Sequence, residues 1–432
     1  MLFNPALVAI AGLLFWVFLR ITSPLDYRLE MQWNTIIFIA LGYGSFLAGC
    51  MLAAQSKQSK LANKANGRNV WVSGVNMNLF WVCFGIGLLS MALRLYDRII
   101  VRGVDYFGDS AEVRDTLANT NFSGASAVSS LILPFCFLPM ILLLAGKWES
   151  RYKFHAGLAL ILFMLPTLES VAQASRSIML LTIALGFATV SILRFGGRIA
   201  DRKLVIPVLA TAAGLLILST SIFQTRLNDA GRQLQDSLQD SVYAEAYFPN
   251  RKAVEEMGNP NSPLGDFYTT LLPNQMYYLS GLYEFEMQFN RPDEQFFGFG
   301  SYIFYPYSRV ISIVFNVDNI RGLDESVLLY RYGVFTSFFG PIWVDFGWFS
   351  ILIIGLIGFL SERLSQFVRQ GYINALPLYL FLVVVIFYMP VFNFLVIGFG
   401  FFIFHGFALF ALFSSFQPRH QLSFEQRKAM LG

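Results

Sequence analysis

Residues 154–194 read FHAGLALILFMLPTLESVAQASRSIMLLTIALGFATVSILR. Two apolar runs, 154–173 and 177–194, flank the short turn ASRS. Each is close to the ~20 residues that cover roughly 30 Å of hydrocarbon at 1.5 Å per residue. A helix is the economical way to span, because an unpaired backbone group in lipid costs several kcal/mol. The stretch therefore predicts a pair of transmembrane helices joined by a tight turn, with Glu169 inside the first and Arg176 in the turn.

Runs of the same kind recur at 2–21, 34–54, 71–93, 125–145, 204–224, 346–361, 375–390 and 394–415. Ten spans result, or up to twelve if re-entrant segments lie within 263–316. Composition agrees: 56% of the 432 residues are hydrophobic, 45 are Phe, and 13% are charged, against about 25% charged in an average soluble domain. A soluble domain, a disordered chain and a disulfide scaffold are excluded. The formal charge of +4 is too small to argue for nucleic acid. Cys50, Cys83 and Cys136 all fall in apolar runs and show no metal-ligand spacing. The first run lacks the basic leader and cleavage site of a signal peptide, so it is expected to stay as the first helix.

Charge bias sets an orientation. The loop 55–69 carries Lys57, Lys60, Lys64 and Arg68 with no acid, and similar clusters follow the fourth, sixth and eighth spans and fill the tail. With ten spans, the N-terminal side holds 16 Lys+Arg against 4 acids; the rest of the chain holds 15 against 23. Positive loops stay cytoplasmic, so both termini are expected on the cytoplasmic side. The chain then divides into an N-terminal bundle (1–224), a large, partly helical outer loop (225–345) and a C-terminal membrane segment with a short tail (346–432). Within the loop, 228–257 is polar and helix-compatible, and Pro260, Pro263, Pro273, Pro292 and Pro306 punctuate the remainder.

Polar residues in apolar surroundings are the places to look for function. Arg94, Arg98 and Arg102 in RLYDRIIVRG recur at i, i+4 and i+8, one face of a continuing helix. Arg114, Arg176, Arg309 and Arg331 follow on the same outer side, where Lys252 is the only lysine. Arginines at helix ends also snorkel or pair with neighbours such as Asp97 and Asp105, a reading that suits Arg94 equally well and Arg114 better. Guanidinium grips phosphate bidentately and keeps its charge, so Arg176 and Arg309 in particular point to a phosphate-bearing lipid. Glu169, seven residues before Arg176, reads equally as a general base or as a counter-ion. Asp345 in GPIWVDFGWF reads as a helix N-cap or a catalytic carboxylate. No histidine falls in the outer segments, and there is no HExxH, D-x-D or Walker-type loop. Eleven of the 19 tyrosines lie in 225–345, as expected for an interfacial belt or for stacking on sugars.

The RLYDRIIVRGVDYF stretch, the ASRS turn, the long outer loop and the Y-G…DFGWFS run leading into a late helix resemble the bacterial oligosaccharide repeat-unit polymerases, the Wzy-type O-antigen polymerase family. The resemblance covers most of the chain as architecture. It implies an all-α polytopic integral membrane protein of about ten (10–12) helices, C-type glycosyltransferase-like (GT-C), with one large periplasmic loop domain. It further implies a glycosyltransferase with no cofactor and no metal, which moves a growing glycan from undecaprenyl diphosphate to the next lipid-linked repeat unit. Its partners would be undecaprenyl-diphosphate-linked oligosaccharides, membrane lipids and a chain-length regulator protein. Carried over on matching stretches, Arg98, Arg102, Arg176, Arg309 and Arg331 would bind diphosphate, with Glu169 or Asp345 as base. An O-antigen ligase is the nearest alternative, though such ligases often use an outer-loop histidine. A lipid-linked sugar flippase is another, expected to show inverted repeats and interrupted helices.

Overall fold

The structure, a computed structural model, describes residues 4–55, 76–106, 113, 116–117, 123–146, 152–172, 177–195, 214, 217–218, 220–221, 224, 244–259, 261–291, 297–307, 330–331, 336–396 and 398–414. It is mostly helical. Helices α1 (Pro5–Thr22), α2 (Trp33–Ala54) and α3 (Met77–Leu95) open the chain, and α3 runs on as one π-helical turn, Tyr96–Val101. Then come α4 (Gly124–Ile132), α5 (Leu138–Ala145), α6 (Lys153–Ala172) and α7 (Ser177–Phe195). The second half holds α8 (Arg251–Met257), α9 (Pro263–Phe289), α10 (Phe339–Phe346), α11 (Ser350–Arg369), α12 (Leu376–Phe387) and α13 (Gly398–Ser414).

Among the described residues seven helical segments are long and apolar enough to cross a membrane, and the chain is a polytopic membrane protein. Six match the first six apolar runs. The α4–α5 segment is interrupted by a 3-10 turn, Leu133–Cys136, where Pro134 withholds a backbone donor. The seventh, Phe339–Arg369, joins α10 and α11; its helix starts at Phe339, earlier than the run at 346–361. The runs at 375–390 and 394–415 are shorter helices, Ile373–Phe387 and Phe399–Phe413. Ten full-length spans are therefore not what the described residues form, and the run at 204–224 lies almost wholly outside them.

A two-stranded antiparallel ribbon marks one end of the bundle. Strand β1 (Leu25–Tyr27) pairs with β2 (Tyr247–Pro249), Leu25 opposite Pro249 and Tyr27 opposite Tyr247. This fastens the α1–α2 turn to the long intervening segment. From that ribbon end α2 and α11 descend in parallel: Ser45 Oγ donates to Ile351 O (2.6 Å), Cys50 Sγ to Gly358 O (3.2 Å) and Gln366 Nε2 to Ala53 O (3.0 Å). Their backbones touch through Gly49 and Gly358, whose absent β-carbons would collide with Gly355 O and Phe46 O. Lipid supplies no hydrophobic drive for helix pairing, so small residues that allow close van der Waals approach do the work.

Helix α9 departs most from expectation. Pro273 reads as a break in sequence, yet it lies inside this helix of 27 residues. Thr220 Oγ1 and Asn274 Nδ2 both donate to Thr270 O, at 3.0 and 2.9 Å, in the turn that the proline disturbs, and the following residues are almost all buried. That burial outweighs the ~3 kcal/mol an interior proline costs. Its far end is tied to the ribbon end. Arg20 Nε donates to Tyr283 OH (3.0 Å), Gln32 N to Glu286 Oε2 (3.3 Å) and Asn290 Nδ2 to Thr35 Oγ1 (2.9 Å).

Helix α12 stops at Phe387, whose carbonyl lies against Gly12 in the middle of α1. Residues 388–396 continue as turns, buried among Tyr277, Tyr278 and Phe338. Phe338 N donates to Met389 O (2.9 Å), Ser337 N to Gly281 O (2.9 Å) and Asn393 Nδ2 to Phe338 O (3.1 Å). Irregular backbone at this depth is tolerable only when protein satisfies it, and here it does.

Candidate functional site

The charged side chains gather where α3 and α6 end, on the ribbon side. Helix α3 is apolar until its last turn, where Arg94 is the first charge. The π-helical turn that follows winds more widely than an α-helix. It leaves Arg98 beside Arg94, while Arg102, at the C-cap, turns elsewhere. Both Arg94 and Arg98 converge on Glu169, near the end of α6. Arg94 Nε donates to Glu169 Oε2, and Arg98 Nη1 lies 2.5 Å from Glu169 Oε1. The latter contact is close but off the N–H direction, since Oε1 accepts no aligned hydrogen bond. The trio is inside the protein, with side chains 3% (Arg94), 4% (Glu169) and 10% (Arg98) exposed.

Two further groups frame it. The Arg94 guanidinium carbon sits 4.1 Å from the centre of the Phe399 ring, at the start of α13, a cation–π contact. Arg98 Nη1 also donates to Tyr106 OH at 3.3 Å. Burial pushes the Tyr106 hydroxyl above its ordinary value, against the pull of Arg98, so it remains a neutral phenol that can donate onward. Arg102 pairs with Asp97 at 2.9 Å, and Asp97 also accepts from Ser123 Oγ.

Charge arithmetic distinguishes the two halves. Arg102 and Asp97 cancel. Arg94, Arg98 and Glu169 leave one positive charge in excess, and among the described residues Arg94 Nη2 has no hydrogen-bond partner. A buried donor or charge without a partner is costly. What this arrangement can do is accept an anion.

The other expected site residues lie apart from this cluster. Arg331 sits 3.2 Å from Glu284 and 3.5 Å from Glu245, with Nη2 against Met287 Sδ. This trio has one negative charge in excess, and burial pushes Glu284 up to about 7 despite Arg331. Asp345 is completely buried near the end of α10. Its carboxylate accepts from Tyr302 N (3.0 Å) and Ile303 N (2.8 Å), capping the 300–307 turn of another segment instead of its own helix. A carboxylate that bonds backbone amides in this way is a clasp. Arg114, Arg176 and Arg309 lie outside the described residues. No three His, Cys, Asp or Glu side chains among the described residues converge to hold a metal.

Sequence reasoning singled out Arg98 and Glu169 and weighed Arg94 evenly as a snorkelling residue. The i, i+4 spacing of Arg94 and Arg98 was the available signal for their sharing one partner. Tyr106 and Phe399 carried none. Comparison with protein-family models, curated proteins and solved structures finds no match to this chain.

Proposed function

We propose that this membrane protein is a glycosyltransferase that polymerises lipid-linked oligosaccharide repeat units, as in O-antigen, capsule or exopolysaccharide synthesis. The observation that carries the reading is the buried, net-positive Arg94–Glu169–Arg98 trio at the ribbon end of the bundle. On this reading the ribbon end faces the periplasm and both termini are cytoplasmic. The acceptor hydroxyl attacks the anomeric carbon of the donor glycan. The bond to the diphosphate oxygen breaks, and undecaprenyl diphosphate leaves with the electron pair. Fixed positive charge at the leaving group is what this transition state demands. Arg94 and Arg98 supply it; Arg102 and Arg331 are paired with acids of their own, and Arg176 and Arg309, outside the described residues, remain candidates from the sequence. Glu169 serves as counter-ion to the pair. The acceptor's proton goes to a carboxylate base; with Glu169 held as counter-ion, Asp345 is the remaining candidate from the sequence.

A second reading has one observation in its favour. The interruption between α12 and α13 is the kind of broken helix found in transporters, which fits a lipid-linked sugar flippase. Yet the described residues of this break, 388–396, are aromatic, aliphatic or amide with no charge. The same experiment separates the readings. The surface glycan ladder of a deletion strain is compared after complementation with wild type, Arg98→Ala or Arg176→Ala. A single capped repeat in the deletion, extended to a ladder only by wild type, is the expected result. Absence of any repeat on the core would favour the ligase or flippase. A ladder unchanged by deletion would refute the glycan reading.

A further inference from the structure

We propose that Glu169 is a placeholder for a ligand phosphate: its carboxylate occupies the space between Arg94 and Arg98 that a phosphate or diphosphate oxygen shares or takes over when the ligand is bound. The inference rests on the phosphate-bearing substrate of the preceding section and assigns the subsite and its competitor within the chain. Three observations support it. One carboxylate serves two guanidiniums, so the trio itself carries one positive charge in excess. Arg94 Nη2 is buried and unpartnered, a donor already stripped of water. The Arg98 contact with Glu169 is a close ion pair without an aligned hydrogen bond, so a phosphate oxygen can make the bond to Arg98 that the carboxylate does not. Arg98 is the most exposed member of the trio at 10%, and Tyr106 beside it offers a neutral hydroxyl. A carboxylate and a phosphate each present two oxygens to a guanidinium fork, and phosphate brings more oxygens and more charge. The neighbouring Arg102–Asp97 pair is self-neutralised and takes no part.

The consequence is unlike that of a general base. Replacing Glu169 by Gln removes the competitor and its charge while keeping its shape, so anion affinity should rise. The experiment uses the full chain in nanodiscs of zwitterionic lipid, with two probes, inorganic pyrophosphate and farnesyl diphosphate. Binding is read as a ligand-dependent rise in melting temperature titrated to an apparent Kd. Glu169→Gln should bind pyrophosphate about tenfold or more tightly than wild type, a change of ~1.4 kcal/mol. Arg94→Met should lose that binding. Arg94→Lys keeps the charge but gives up the second nitrogen; it should bind several-fold more weakly than wild type, and it provides the readout if Glu169→Gln does not fold. Tightening toward both probes identifies the diphosphate group as what is recognised, and tightening toward farnesyl diphosphate alone identifies a lipid-borne one. No tightening toward either probe in Glu169→Gln, or wild-type affinity in Arg94→Lys, would overturn the proposal. The ladder assay tests the glycan reading separately: a ladder lost on deletion, with no anion bound at Arg94 and Arg98, refutes this inference alone.

Discussion

Removing Glu169 should unsettle the fold more than removing either arginine it serves. Its side chain is 4% exposed, and Arg94, its tighter partner, is 3% exposed. Breaking a buried ion pair from one side typically costs about 3–5 kcal/mol, because a charge is left without compensation. Glu169→Gln leaves two guanidiniums facing one another and belongs at or above the upper end of that range. Arg94→Met is different: it removes the charge in excess, leaves Glu169 with Arg98 as a balanced pair, and forfeits the Phe399 stacking, worth roughly 0.5–2 kcal/mol. Methionine refills part of the volume, so the net loss should be on the order of 1 kcal/mol. At roughly 2–4 °C per kcal/mol for chains of 150–250 residues, and less for a longer one, Glu169→Gln should lower the Tm by several degrees and Arg94→Met by a degree or two. The assay is thermal unfolding in nanodiscs without added anion. The double variant Arg94→Met with Glu169→Gln should recover stability relative to Glu169→Gln alone, since one unpaired charge remains in place of two. Equal shifts for the two single variants, or strictly additive losses in the double, would refute the claim that one carboxylate compensates both arginines.

Glu284 supplies a pH dependence. Its folded value, about 7 against an ordinary 4.5, means that the folded chain holds a proton the unfolded chain has released between those values. Stability should therefore fall as pH rises from about 4.5 to about 7, then level off; Glu284→Gln should flatten that slope in unfolding measured across the window, and an unchanged slope would refute the assignment. Asp345→Asn should reduce stability by about 1–3 kcal/mol through loss of its bonds to the Tyr302 and Ile303 amides; a variant with wild-type Tm but no glycan ladder would instead make Asp345 the base. Gly281→Leu should impair folding, because any β-carbon there meets Val391 O and overpacking typically costs about 1–3 kcal/mol or more; wild-type yield and Tm from this variant would disprove the close approach.

How much of this was legible follows from what each residue depends on. The long membrane helices were readable because hydrophobic length alone specifies them: nothing in 177–194 needs a partner elsewhere to be apolar. Helix α9 was legible only as part of a partly helical outer loop or a re-entrant segment, because the burial of Asn274, Gln275, Glu284, Glu286 and Gln288 depends on partners such as Gln32, Thr220 and Arg331 far along the chain. The early stop of α12 was hidden for the opposite reason. Residues 387–392, FYMPVF, are as apolar as the helix before them, and hydropathy does not distinguish a helix from buried turns. Pro390 was the readable clue, since a residue before proline disfavours helical backbone. The candidate site was half legible. Arg94 and Arg98 share a helix face by spacing, but Glu169 lies 75 residues from Arg94, and a tertiary pairing at that separation leaves no mark in one sequence. Glu169 was paired in expectation with Arg176, which lies outside the described residues.

The interrupted helix and the arginine cluster are mechanically one assembly. Gly281 on α9 lets its backbone rest against Val391 O, and Ser337 and Phe338 hydrogen-bond to both sides of that contact. A few residues on, Phe394 O lies against Gly400, where any β-carbon would collide, so the first turn of α13 is fixed to the same irregular segment. That turn carries Phe399, the ring beneath the Arg94 guanidinium. Close-packed contacts of this kind transmit displacement instead of absorbing it. Backbone contacts at Val391 and Gly400 therefore link α9 to the turn that carries the face on which Arg94 rests. Helix α9 thus reaches the ring on which Arg94 rests through packing alone, while Arg331, among the described residues, is engaged by Glu245 and Glu284.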